Sequence, residues 1–105
     1  MDRKALEQML ARGIDNPLLR YTLGTLCLQE KSPEQALIHL EMALAQEPGH
    51  SASWKSYAKT LTLLGRTEAA IEAYRKGIAI AAEKGDVQAV KEMEVFLKRL
   101  RKPPS

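Results

Sequence analysis

Apolar side chains recur along the chain every three or four positions, in six separate bursts. Leu6, Met9 and Leu10 form the first, Leu19, Leu23, Leu26 and Cys27 the second, and Leu37, Leu40, Ala43 and Leu44 the third. Trp54, Tyr57, Ala58, Leu61 and Leu64 make the fourth, and Ala70, Ile71, Tyr74, Ile78 and Ala81 the fifth. Val90, Met93, Leu97 and Leu100 close the series. A period near 3.6 residues puts each set on one side of an α-helix, and no segment reads as a strand.

The punctuation between the bursts supports six helices. Asp2 caps the first, which ends at Gly13, and Asn16-Pro17 opens the second with a cap followed by proline at the first helical position. Ser32-Pro33-Glu34-Gln35 spells a capping box ahead of the third helix, which Pro48-Gly49 stops. Ser51 or Ser53 begins the fourth and Gly65 breaks it; the fifth ends at Lys84-Gly85, and Asp86 caps the sixth. Pro103-Pro104 forbids further helix and leaves a short frayed tail. No linker is long enough to divide the chain, so residues 1–102 form one all-α domain.

An internal echo organises these helices. Leu23, Gly24, Ala36, Leu40 and Leu44 return as Tyr57, Ala58, Ala70, Tyr74 and Ile78, each pair 34 residues apart. That period belongs to helix–turn–helix repeats stacked into a right-handed array, which presents a concave surface for binding. The physical reason is steric: small residues let two helices of a unit approach, and bulky ones fill the space beside them.

On these residues the chain resembles the tetratricopeptide repeat family. Counted from Pro17, Leu23, Gly24, Cys27, Ala36, Leu40, Ala43 and Pro48 fall on the family's positions 7, 8, 11, 20, 24, 27 and 32. Counted from Ser51, Trp54, Tyr57, Ala58, Leu61, Ala70, Tyr74 and Gly77 match positions 4, 7, 8, 11, 20, 24 and 27. Arg20 departs from the pattern where a large apolar residue is usual, Ala82 where proline is common, and Glu94 where a small residue is usual. The resemblance implies two full repeats, 17–50 and 51–84, with a capping half-repeat helix at 1–15 and another at 86–102.

In that family the first helix of each unit lines the groove. Carried across, the lining is Leu18, Tyr21, Thr25 and Leu28, then Ala52, Lys55, Lys59 and Thr62, then Gln88, Lys91, Val95 and Lys98. Tyr21, Thr25, Lys55, Lys59, Lys91 and Lys98 are left without a packing duty, so the resemblance makes them the candidate peptide-binding groove. Four lysines there suit an acidic peptide or a peptide C-terminus, although an ordinary solvated face has the same composition. Some relatives clamp the acidic tails of heat-shock chaperones with Lys and Asn at these sites; Tyr21, Thr25, Lys55 and Lys59 leave out the asparagines.

Charge adds a second possibility. The net charge of +3 is uneven: residues 1–50 carry five Lys/Arg against seven Asp/Glu, so the remainder is +5. Lys98-Arg99-Leu100-Arg101-Lys102 either offsets the dipole of the last helix or forms a patch for nucleic acid or another polyanion. Without interleaved aromatics the nucleic-acid option is disfavoured. A structural subunit of a larger assembly is a third option, and Val87 and Val95 lie off the apolar stripe where a self-association face would sit.

Catalysis has no foothold. His39 falls on an exposed helix position and His50 in a turn, and no ligand-spaced cluster or phosphate-cradling loop accompanies them. Cys27 reads as a buried, inert thiol that suits a reducing compartment. The expectation is therefore a non-enzyme without metal or cofactor, cytoplasmic and not membrane-bound, monomeric, with a protein or peptide partner of acidic character.

Overall fold

Each burst of apolar residues folds as one helix. The computed structural model describes residues 2–102, so Met1 and the tail at 103–105 lie outside the described residues. In order come α1 (Arg3–Ala11), α2 (Pro17–Gln29), α3 (Pro33–Gln46), α4 (Ser51–Leu63), α5 (Thr67–Glu83) and α6 (Val87–Arg101), with no strand among the described residues.

Helix starts follow the expected capping chemistry at Asp2, Asn16 and Asp86 and depart from it at Ser32. Asp2, Asn16 and Asp86 each accept a hydrogen bond from the N–H three residues on, at 2.8, 2.9 and 3.1 Å. Ser32 also precedes its helix but makes no side-chain cap bond. Its backbone, at φ −119° and ψ 67°, is folded into the turn that ends α2, and the short hydroxyl does not reach. Asp86 sits in a similar turn, at ψ 81°, and its longer carboxylate does reach. The fourth helix begins at Ser51, as expected, with His50 in the cap position but without a side-chain bond to the backbone there. Ser53 is fully buried, within 2.6 Å of His50 Nδ1.

Four of the helix ends share one device. The amides of Ile14, Ser32, Arg66 and Asp86 reach back to the carbonyls of Met9, Cys27, Leu61 and Ala81 at 2.8–3.0 Å. This closure needs a left-handed residue just before the donor. Gly13, Gly65 and Gly85 supply it for α1, α4 and α5, while α2 uses Lys31 at φ 60°.

Close helix contact then builds the stack. Gly24 of α2 faces Leu40 of α3 so tightly that a Cβ there would lie 2.6 Å from Leu40 Cγ. Gly77 of α5 plays the same part between its neighbours, where a Cβ would meet Met93 Sδ at 2.7 Å and Trp54 Cβ at 2.9 Å. The buried side chains fall into three clusters along the stack. Leu6, Leu19 and Leu23 join α1 to α2; Cys27, Ala36 and Leu40 join α2 to α3; Ala58, Leu61, Ala70, Ala73, Tyr74, Ala81 and Met93 fill the space between α4, α5 and α6. Tyr57 packs against the last two, and Tyr74 stacks on Phe96 with centroids 5.9 Å apart.

Short turns make successive helices antiparallel, so α2, α4 and α6 point the same way. α2 approaches α4 and α4 approaches α6, whereas the backbones of α3 and α5 stay further apart. Close on one side and splayed on the other, the layers curve, and α2, α4 and α6 line the inner face. Glu94, at the position where a small residue is usual, is exposed, and among the described residues no helix packs over it. Among the described residues no helix is long and apolar enough to cross a membrane.

Two substitutions test this account by urea denaturation. Gly24→Ala gains about 1 kcal/mol of helix propensity but drives a methyl into Leu40, and a net loss of about 1–2 kcal/mol is expected. Lys31→Gly relieves a left-handed residue worth about 1–2 kcal/mol and loosens the unfolded chain, for an expected gain of about 0.5–1 kcal/mol.

Candidate functional site

A cleft of about 260 Å³ opens on the inner face, and three of the expected groove helices contribute to it. Tyr21 comes from α2, Ser51, Ala52 and Lys55 from the first turns of α4, and Gln88, Ala89 and Glu92 from α6, with Asp86 at its cap. Tyr21 is held half-buried by packing near Cys27 and Leu40 and by an edge contact with the His50 ring, at 5.1 Å and 80°. Lys55 Nζ donates to Glu92 Oε2 at 2.5 Å, which ties α4 to α6 across the cleft. That bond and the lysine's charge hold the Glu92 carboxyl below its ordinary range. Both side chains remain more than a third exposed, so the pair adds little to stability.

The six residues singled out in the sequence are thus distributed along this face. Tyr21 and Lys55 meet in the cleft. Thr25 and Lys59 lie one turn further along the same faces of α2 and α4, and Lys91 one turn beyond the cleft-lining Gln88. Thr25 is half-buried and its hydroxyl donates to the Thr22 carbonyl at 2.9 Å. Lys59, Lys91 and Lys98 are exposed and form no ion pair among the described residues. Lys98 stands apart, beside a larger hollow of about 830 Å³ that also touches Val95, Arg99 and Arg101. Among the described residues the walls of that hollow come from α6 alone, whereas the smaller cleft is built by three helices.

The structure gives two of these residues a structural duty: Tyr21 packs near the Cys27 and Leu40 cluster, and Lys55 has a partner. Glu92 lies 37 residues away, beyond any local spacing rule, and nothing in the repeat pattern marks its position. The other lining residues that the sequence did not single out, Ser51, Asp86 and Ala89, take part because the first turns of α4 and α6 border the cleft.

Comparison with known proteins agrees with this architecture. The tetratricopeptide repeat pattern matches residues 28–93. A TPR repeat-containing protein of Pseudomonas aeruginosa is 44% identical over 97 residues, which cover 92% of either chain. The chain belongs to the tetratricopeptide repeat family. A protein from Bordetella parapertussis, whose structure was determined in solution, shares 44% identity and superposes with a TM-score of 0.84 over 95% of this chain and 87% of its own. YrrB, a TPR protein with an unusual peptide-binding site, shares the fold at 19% identity and a TM-score of 0.65, over 94% of this chain and 58% of its own. Tetratricopeptide repeats generally mediate protein–protein interaction and are generally non-catalytic.

A second polar constellation lies at the joint of the α1–α2 turn, α2 and α3. Arg20, the TPR pattern's departure, packs with only 13% of its side chain exposed. Its Nε and Nη2 donate to the two Asp15 oxygens, both at 2.9 Å, and Gln46 Nε2 donates to Asp15 at 2.9 Å. Arg20 Nη1 lies 3.1 Å from His39 Nδ1. A guanidinium can only donate, so that nitrogen accepts and His39 is neutral. His39 is therefore half-buried, not exposed as its helix position suggests, because Arg20 reaches across α2 to it.

None of this arms a nucleophile. Cys27 is fully buried, and burial pushes its thiol up from the ordinary range. Ser53 is buried under His50, whose side chain makes no second hydrogen bond among the described residues.

The joint should give the fold a marked acid sensitivity. Burial and the Arg20 charge lower the His39 pKa, so the unfolded chain takes up that proton first, and stability falls as pH drops below about 6.5. The Arg20 and Gln46 hydrogen bonds hold Asp15 at about 2, so its contribution is complete above its ordinary 3.8 and lost as pH falls toward 2. Thermal melts from pH 7 to 2 should show both declines, and Arg20→Met should flatten the curve in both windows.

Proposed function

We propose that the chain is a non-catalytic, cytoplasmic binding module that takes a peptide segment of a partner protein along the inner face of α2, α4 and α6. One observation carries this reading: Tyr21, Lys55 and Gln88, contributed by three parallel helices, meet at one cleft. An aromatic beside polar groups suits an anchored side chain, and a segment extended along the helices from there passes Thr25, Lys59 and Lys91, one turn on. Lys59 and Lys91 are exposed cations on that path, so acidic residues of the segment have partners there.

Nucleic-acid binding through α6 is the weaker reading. Lys98, Arg99 and Arg101 occupy the last turn of α6, where they offset the helix dipole, and the Arg99 guanidinium lies 5.6 Å over the Phe96 ring. The basic cluster has a structural explanation, and no exposed aromatic is interleaved with it to stack on bases.

Charge reversal separates the two readings. A pull-down from native lysate with wild type and Lys59→Glu/Lys91→Glu in parallel should recover a partner that the double variant retains at least about tenfold less well, with the melting curve unchanged. Equal recovery by both proteins would remove the groove assignment.

A further inference from the structure

The cleft bounded by Tyr21, Lys55 and Glu92 carries more negative than positive charge. Lys55 is the one cation among its lining residues, against the carboxylates of Asp86 and Glu92. Lys55 is already bonded to Glu92, and Asp86 gives one oxygen to the Ala89 N–H at 3.1 Å. A ligand carboxylate entering here meets an engaged ammonium. Two of its N–H donors stay open, but Glu92 already offsets its charge and sets a carboxylate beside the ligand's own, which repels it. An ammonium or guanidinium meets the opposite situation: two carboxylates, one of them sharing its proton donor, and an aromatic wall at Tyr21.

Resting on the groove reading above, we propose that Glu92 sets the charge selectivity of this cleft. By engaging Lys55 it turns a site that would attract an acidic side chain into one that admits a basic side chain of the bound segment. Lys59 and Lys91 lie outside the cleft, so they are left to meet acidic residues further along. The class of ligand is then a mixed-charge peptide: one Lys or Arg seated between Tyr21, Asp86 and Glu92, with Asp or Glu following it toward Lys59 and Lys91. Because the pair is more than a third exposed and adds little to the fold, Glu92 can be changed without losing the scaffold.

A phage-displayed library of random dodecapeptides reads this selectivity without a known partner. It would be panned in parallel on wild type, Glu92→Gln and Lys55→Met. Wild type and Lys55→Met should enrich peptides that contain Lys or Arg. Glu92→Gln should lose that enrichment by about tenfold and shift its pool toward Asp and Glu. Circular dichroism melts matching wild type would show that the shift is not unfolding. Pools of equal Lys and Arg content from wild type and Glu92→Gln would overturn the inference and leave the groove reading standing. No enrichment on wild type, or enrichment undiminished by Lys59→Glu/Lys91→Glu, would overturn the groove reading and this inference with it.

Discussion

Everything in this molecule depends on how near two helices of a hairpin can come. Leu40 occupies space that a side chain at residue 24 would need, and Met93 and Trp54 do the same at Gly77. The approach lets short helices bury whole leucines and a tyrosine, each worth about 1.5–3 kcal/mol, in a chain too small for a single broad core. It is achieved differently in the two units. The first spends a glycine at 24 against a leucine, and the second uses Ala58 and Ala70 around Tyr74 and moves its glycine to 77.

That division of labour leaves one face with nothing to pack. The apolar sides of α2, α4 and α6 are committed to α1, α3 and α5 and to each other, so polar residues between those contacts are free of core duty. Lys55 and Gln88 come together for this reason, beside a Tyr21 that also packs near Cys27 and Leu40, and not through any local motif. The inner face inherits a fixed spacing from the stack, and its chemistry is open to variation.

Much of the fold was legible in the chain because its causes are local. Hydrophobic period, caps and the 34-residue echo each act within one or two helices, and all six helices stand where they point. Where longer-range contacts decide, the sequence was silent. Ser32 has the residue type of a cap, but the closure of the preceding helix takes over its backbone. His39 has the helical register of a surface residue, but Arg20 from the neighbouring helix covers it. The candidate site was legible in the same uneven way. Repeat register pointed to Tyr21 and Lys55, whose helix faces it specifies. It missed Glu92, because an ion pair across two repeats depends on the angle between α4 and α6, which no pattern within one helix encodes.

The first helix rests on α2 alone, with Leu6 its sole fully buried side chain, and Arg3 pinned to Glu30 at 2.8 Å as its chief polar tie. In a linear stack each layer is held by its neighbours, and an end layer has just one. Detachment of α1 breaks a single interface and bares Leu19 and Leu23, while the inner face stays assembled. The chain is thus a one-dimensional solid with a weak terminal bond. Its slow internal exchange and its fast end-fraying become separate events, and a proteolytic cut in the Ile14–Asn16 turn would trim the array without emptying its groove.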